Sequence, residues 1–251
     1  MAFDVGADAY DKFMGRYSVQ LSPQFADFGG VAAGDHVLDV GCGPGALTAE
    51  LLQRGAVVSA ADPSPQFVAA ARERYPDVDV QQATAEELPY ADGSFDEVLA
   101  QLVVHFMADP VHGLSEMARV TRNGGVVAAC VWDIAGDRAP ITPYWQAAKA
   151  LDPTTQDERR AGAGEGQLPE LFRQAGLEDV EETPLPVHVQ HPTFEEWWLP
   201  FTLGVGPAGA HYQQLDPAHQ QALEQHLREQ LGQPVELEAR AWAARGIARR
   251  P

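Results

Sequence analysis

Asp39, Gly41, Gly43 and Gly45 stand at alternate positions after the apolar pair Val37-Leu38, and a second acid, Asp62, closes the next apolar run, Ala56 to Ala61. The chemistry this spacing suggests is the gripping of a nucleoside. Glycine admits backbone angles closed to other residues and has no side chain to hold a ligand away, so such a turn lets a bound molecule touch main chain. Leu47, Leu51 and Leu52 then recur at helical spacing, which makes the stretch strand, tight turn and helix. The helix start presents unpaired N–H groups and a partial positive charge to whatever occupies the turn. Asp62, about twenty positions past the first glycine, is placed to accept hydrogen bonds from both hydroxyls of a ribose. Spacing leaves a dinucleotide site open, because Ala46 occupies the third place of a Gly-x-Gly-x-x-Gly/Ala turn. It disfavours a nucleoside triphosphate, since no lysine occurs from Val37 to Thr48.

The run Asp39-Val40-Gly41-Cys42-Gly43-Pro44-Gly45 resembles motif I of the class I S-adenosylmethionine-dependent methyltransferases, Asp-x-Gly-x-Gly-x-Gly after an apolar strand. After it come Asp62, the loop Ala83-Thr84-Ala85-Glu86-Glu87-Leu88-Pro89, similar to the family's Asp-Ala-Glu-x-Leu-Pro, and a strand opening at Phe95. Thr84 stands where the family has an aspartate, so the usual carboxylate for the adenine amino group is missing. The Thr84 hydroxyl still accepts a hydrogen bond and the Ala85 N–H still donates one. The resemblance covers residues 36–132 and points to small-molecule methyltransferases like those of quinone biosynthesis, the type 11 domain. It implies S-adenosyl-L-methionine as cofactor, S-adenosyl-L-homocysteine as product and a small-molecule methyl acceptor.

The cofactor-binding residues that the resemblance implies are Tyr10, Arg16, Asp39, Gly41, Cys42, Gly43, Gly45, Asp62, Pro63, Thr84, Ala85 and Gln101. Tyr10, Arg16 and Tyr17 lie in a segment similar to one that closes over the cofactor in many family members. There Arg16 would pair with the methionine carboxylate, or else the tyrosines pack the helix and Arg16 is solvated. His105, leaving the fourth strand, is the candidate catalytic base, or simply packs beside Phe106. Tyr17, His105, Trp132, Tyr144 and Trp197 are candidates to bind the acceptor, although aromatic side chains of this kind also serve as packing. The sulfonium already activates the methyl group, so the protein's task is to hold the partners in line and exclude water, and no metal is required. Two other functions stay open: an NAD(P)-dependent oxidoreductase, weakened by the missing Tyr-x-x-x-Lys pair, and a non-catalytic protein that binds S-adenosylmethionine.

The elements that must position these residues follow from periodicity and turn chemistry. Strands are expected at 36–40, 56–61, 78–82, 95–104 and 126–132, with helices at 45–54, 65–75 and 110–120 between them. This alternation calls for an α/β, doubly wound, mostly parallel sheet. The resemblance adds a seven-stranded Rossmann-like form whose last strand, Val235 to Ile247, is antiparallel inside the sheet. Residues 1–30 read as an N-terminal helical lid with one or two short helices ending before Pro23, and 31–190 as the cofactor-binding core. Residues 191–233 read as a helical insertion walling the acceptor cleft, and 234–251 as the last strand and tail.

Composition bounds the partners. Seventeen basic against thirty-six acidic residues give a net charge of −19, and no basic cluster precedes Arg245, Arg249 and Arg250, which disfavours a nucleic-acid partner. No window of 18 apolar residues occurs, so no membrane span is expected. The acidic first residues lack an export signal, which suggests a cytoplasmic location. Cys42 and Cys130 form no metal-ligand spacing, and a monomer or homodimer is expected.

Overall fold

The computed structural model describes residues 11–156 and 161–249. Seven strands form one sheet: β1 (His36–Val40), β2 (Val57–Asp62), β3 (Asp79–Gln82), β4 (Phe95–Gln101), β5 (Thr121–Trp132), β6 (Glu178–His191) and β7 (Val235–Ile247). Their order is β3-β2-β1-β4-β5-β7-β6. The first five pair in parallel and β7 runs antiparallel to both neighbours, the expected mostly parallel Rossmann-like sheet.

The helices begin where local chemistry starts them. α2 (Ala46–Gln53) opens on the glycine turn, and α3 (Pro65–Arg74) and α4 (Pro110–Val120) each carry proline at the first helical position behind a capping side chain. Ser64 accepts from the Phe67 N–H and Asp109 from the His112 N–H, satisfying donors that have no partner within the helix. α5 (Thr142–Leu151) and α6 (Gln167–Gln174) follow, and then α7 (Phe194–Thr202), α8 (Gly206–Gln214) and α9 (Pro217–Leu231) fill the interval between β6 and β7. No helix among the described residues is long and apolar enough to cross a membrane.

One face of the sheet is covered by α2, α3 and a long N-terminal helix, α1 (Arg16–Gly29), entered through a π-helical turn at Asp11–Gly15. The opposite face is covered by α4 and α6 through Leu114, Met117, Leu168 and Phe172. α1 runs through Pro23 instead of stopping before it. Burial of Leu21, Phe25 and Ala26 against the sheet outweighs the backbone bond that proline cannot donate. α8 has no forerunner in the sequence pattern, because two of its residues are glycines. A Cβ on Gly209 would lie 2.5 Å from the Gly204 carbonyl carbon, so the glycine serves close backbone packing within a helix.

β7 is read differently along its length. Ala241–Ile247 pairs with β5 on one side and β6 on the other, whereas Val235–Arg240 pairs with β6 alone. The outer half accordingly alternates buried and exposed residues, and the doubly paired half is almost continuously buried. At the junction Asp133, 1% exposed, accepts from Arg240 Nε at 3.0 Å and from the Gly136 N–H at 2.8 Å. Arg240 in turn lies over the Trp242 ring at 4.5 Å. Replacing the acid strips a partly buried cation of its partner and frees the loop after β5. Asp133→Ala should therefore lower unfolding stability by about 2–4 kcal/mol in urea titration, with Asp133→Asn in between.

Candidate active site

The site is assembled at the carboxyl ends of β1, β2 and β4, where parallel sheets of this order leave a crevice. Beyond β1 the N–H groups of Gly41 and Cys42 both donate to the Ala61 carbonyl, at 2.7 and 3.1 Å, so the turn is tied to β2. Gly41, Gly43 and Gly45 all have positive φ, of 70°, 54° and 98°. They differ in what surrounds them. A Cβ on Gly41 would lie 2.4 Å from Val103 Cγ2 and one on Gly45 would lie 2.3 Å from Tyr75 Cε2, whereas one on Gly43 would meet nothing within 4 Å. Two glycines are thus demanded by the protein's own packing, and the third leaves its backbone open.

Two buried carboxylates face this turn. Asp62 is 5% exposed. Its Oδ2 accepts from the Gly43 N–H at 2.9 Å and its Oδ1 from the Ser64 N–H at 2.8 Å, leaving further lone pairs on both oxygens. Burial raises its pKa, and the Ser64 and Gly43 N–H groups oppose the rise. Asp39, 1% exposed, accepts from the Thr48 hydroxyl at 2.7 Å. Burial pushes its pKa from 3.8 up to about 7, against the Thr48 bond and with a contribution from Asp62.

Asp39, Gly41, Cys42 and Gly43 line a hollow of about 30 Å³ whose other walls include Ser18 of α1 and Gln101 at the end of β4. Gln101 Nε2 donates to the Ser18 carbonyl at 3.4 Å, and its buried Oε1 has no partner among the described residues. The expected fourth strand ends at Gln101, short of Val104, because Leu102 adopts φ of 64°. That sparsely populated conformation throws Val103 onto Gly41 and opens a short 3₁₀ turn, Val104–Phe106, which carries the half-buried His105. A wider cleft of about 570 Å³ lies alongside, between α1 and α2, bordered by Arg16, Gly45, Ala46, Arg74 and Tyr75.

On the β3 side Pro63 and Thr84 are exposed and Ala85 is buried. Glu86 accepts from the Ala108 and Asp109 N–H groups at 2.8 and 3.3 Å, fastening this loop to the start of α4. The sequence candidates at the other end divide. Tyr17, 2% exposed, meets Trp132 edge to face at 6.2 Å, and Tyr17 and Trp197 both border a hollow near the end of β6. Tyr144 is fully buried, stacked on Phe201 at 5.0 Å with its hydroxyl 2.7 Å from His211 Nδ1. The Arg16 guanidinium lies 3.0 Å from His191 Nδ1 and 3.7 Å from Glu196. Tyr10 lies outside the described residues.

Sequence reasoning did not single out His191 or Ser18, nor the backbone conformation of Leu102. His191 carries no local signal, since its partners Arg16 and Tyr17 stand 175 and 174 positions away. Leu102 is an ordinary apolar residue whose backbone angle is set by what surrounds it.

Residues 38–129 match the family model described as a methyltransferase domain. Over 115 residues the chain is 42% identical to the demethylmenaquinone methyltransferase of Mycobacterium sp. (strain KMS), a stretch that is 46% of this chain and 49% of that protein. The chain thus spans about half the length of the curated relatives it matches. Its fold is similar to that of the YcgJ protein from Bacillus subtilis, with a TM-score of 0.58 and 20% identity over 93% of this chain and 99% of that one. It is likewise similar to an N-methyltransferase of Haemonchus contortus in complex with phosphomonomethylethanolamine and S-adenosylhomocysteine. There the TM-score is 0.58 and the identity 17%, over 97% of this chain and 57% of that one. Residues 38–129 thus match a methyltransferase domain, set in a Rossmann-like fold similar to that of solved methyltransferases.

Proposed function

We propose that this protein transfers the methyl group of S-adenosylmethionine to a small-molecule acceptor. The observation that carries the proposal is the uncovered backbone at Gly43 between two glycines closed by Val103 and Tyr75, with Asp62 bound to the same turn. The residues present fit the cofactor. Gly43 gives main-chain approach, the free lone pairs of Asp62 accept from ribose hydroxyls, and the unpartnered Gln101 Oε1 and the carboxylate of Asp39 suit an ammonium group. The exposed Thr84 and the Ala85 N–H serve the adenine edge. When bound, the cofactor supplies a methyl group activated by its sulfonium.

The chain's own contribution is positioning. α1 covers the turn, residues 191–233 wall the acceptor side, and the enclosed aromatics exclude water, so orientation supplies most of the rate. His105 on the turn after β4 is the candidate to take a proton where the acceptor must lose one. The antiparallel β7 inserted between β5 and β6 supports this function over hydride transfer, whose dinucleotide sheets have the strand order 3-2-1-4-5-6. The name of the mycobacterial relative supports an acceptor with a quinone-like ring.

Calorimetric titration should show S-adenosylmethionine binding in preference to NAD, and preference for NAD would overturn the proposal. Methyl transfer to any acceptor would dismiss a purely binding role. Gly43→Ala should cost only about 1–2 kcal/mol of stability, the left-handed penalty, while weakening S-adenosylmethionine at least about tenfold. Gly41→Ala adds a collision with Val103 and should destabilise by about 1–3 kcal/mol more in the same urea titration. Because the folded-state pKa of Asp39 is raised, its contribution to stability is full below about pH 4 and is lost as pH rises through about 7. A cation beside it favours the ionised form, so affinity for S-adenosylmethionine should climb through about pH 7 with proton release, and Asp39→Asn should flatten the climb.

A further inference from the structure

The buried end of β6 carries a hydrogen-bond chain whose direction is fixed. Arg16 Nη1 lies 3.0 Å from His191 Nδ1, and Tyr17 Oη lies 2.8 Å from His191 Nε2. A guanidinium only donates, so Nδ1 must accept and the single proton of the neutral ring sits on Nε2. Nε2–H then donates to the tyrosine oxygen. The other tautomer, or a charged ring, would set an N–H against the guanidinium. Burial and Arg16 accordingly hold His191 down to about 4, and burial raises the Tyr17 phenol, which keeps its proton. Among the described residues that phenolic hydrogen has no acceptor. Tyr17 and His191 border a hollow of about 10 Å³, closed by Phe13, Pro140, Trp197 and Pro200. It has room for about one oxygen-sized group.

We propose that this hollow is an oxygen subsite for the methyl acceptor, in which Tyr17 donates a hydrogen bond to a carbonyl or phenolic oxygen on an apolar ring. Arg16 and His191 are positioning residues that act through Tyr17. The identity of the occupant as the acceptor rests on the methyltransferase function proposed above, whereas the polarity of the chain does not. Phe13, Trp197 and the two prolines, residues with mostly apolar side chains, line the remainder of the hollow. A buried donor left without a partner discriminates against analogues that lack the oxygen, because they leave it unpaired.

The test uses the full chain saturated with S-adenosylhomocysteine and two bicyclic probes, 1-tetralone, which has a carbonyl, and tetralin, which has none. Wild type should bind the ketone roughly tenfold more tightly, and Tyr17→Phe should erase the preference while keeping its affinity for S-adenosylhomocysteine. His191→Gln, whose amide can accept from Arg16 and donate to Tyr17, should retain most of the preference, and His191→Leu should lose it. Equal or absent binding of the two probes by wild type, or a preference that survives Tyr17→Phe or His191→Leu, overturns the subsite. Nitrogen-15 spectra of the wild-type His191 ring between pH 6 and 8 should show a protonated Nε2 and a bare Nδ1, and the reverse tautomer or a charged ring overturns the fixed direction. Should S-adenosylhomocysteine fail to bind while the ketone preference holds, the methyltransferase function falls and the subsite stands.

Discussion

One buried carboxylate spans two backbone turns, and the geometry of the site depends on it. Asp62 holds the Gly43 N–H with one oxygen and the Ser64 N–H with the other, joining the end of β1 to the start of α3. Charge-assisted bonds of this kind are stronger than neutral ones, and in a buried setting they fix direction as well as distance. With Gly43 held, the flanking glycines have little freedom of their own. Val103 occupies the space beside Gly41 and Tyr75 the space beside Gly45, so the turn is clamped from β4 and from α3 while its centre stays bare.

The second wall of the site comes from a different constraint, the stagger between β7 and β5. Because Val235–Arg240 has a partner on one side only, β6 and β7 continue past the sheet as a two-stranded ribbon, and α7, α8 and α9 hang from its end. α1 is anchored from its middle onward by fully buried Leu21 and Phe25. Its N-terminal half is then laid between the glycine turn and that ribbon. Ser18 meets Gln101 on one side of the helix while Arg16 and Tyr17 meet His191 on the other. The glycine-turn side and the His191 side thus lie on opposite faces of the same turn of α1.

Charge selects among the ligands that a glycine turn can hold. The bare N-terminus of a helix favours anions, and phosphates are commonly bound there. Here Asp39 lines the same hollow and Asp62 lies close enough to raise its pKa, so an incoming phosphate would meet two acids in a poorly solvated space. A ligand carrying positive charge relieves both. The overall charge of −19 is a separate matter, spread over a surface where water and salt screen it.

What the sequence determined by itself is everything that local chemistry specifies. Asp39 through Gly45 dictated strand, turn and helix, because left-handed backbone at three alternate positions is cheap only for glycine. Ser64-Pro65 and Asp109-Pro110 announced their helices, since a capping oxygen followed by a residue with no N–H to satisfy needs no distant partner. The parallel core followed from the regular spacing of apolar runs. Only the tertiary structure decided which glycine stays uncovered, that Leu102 takes a left-handed turn, that α1 passes through Pro23, and that His191 closes a chain with Arg16 and Tyr17. Each of these depends on an energy contributed by a partner remote in sequence, a colliding side chain, a buried face or a hydrogen bond across 174 or 175 residues, and no pattern confined to neighbouring positions carries it.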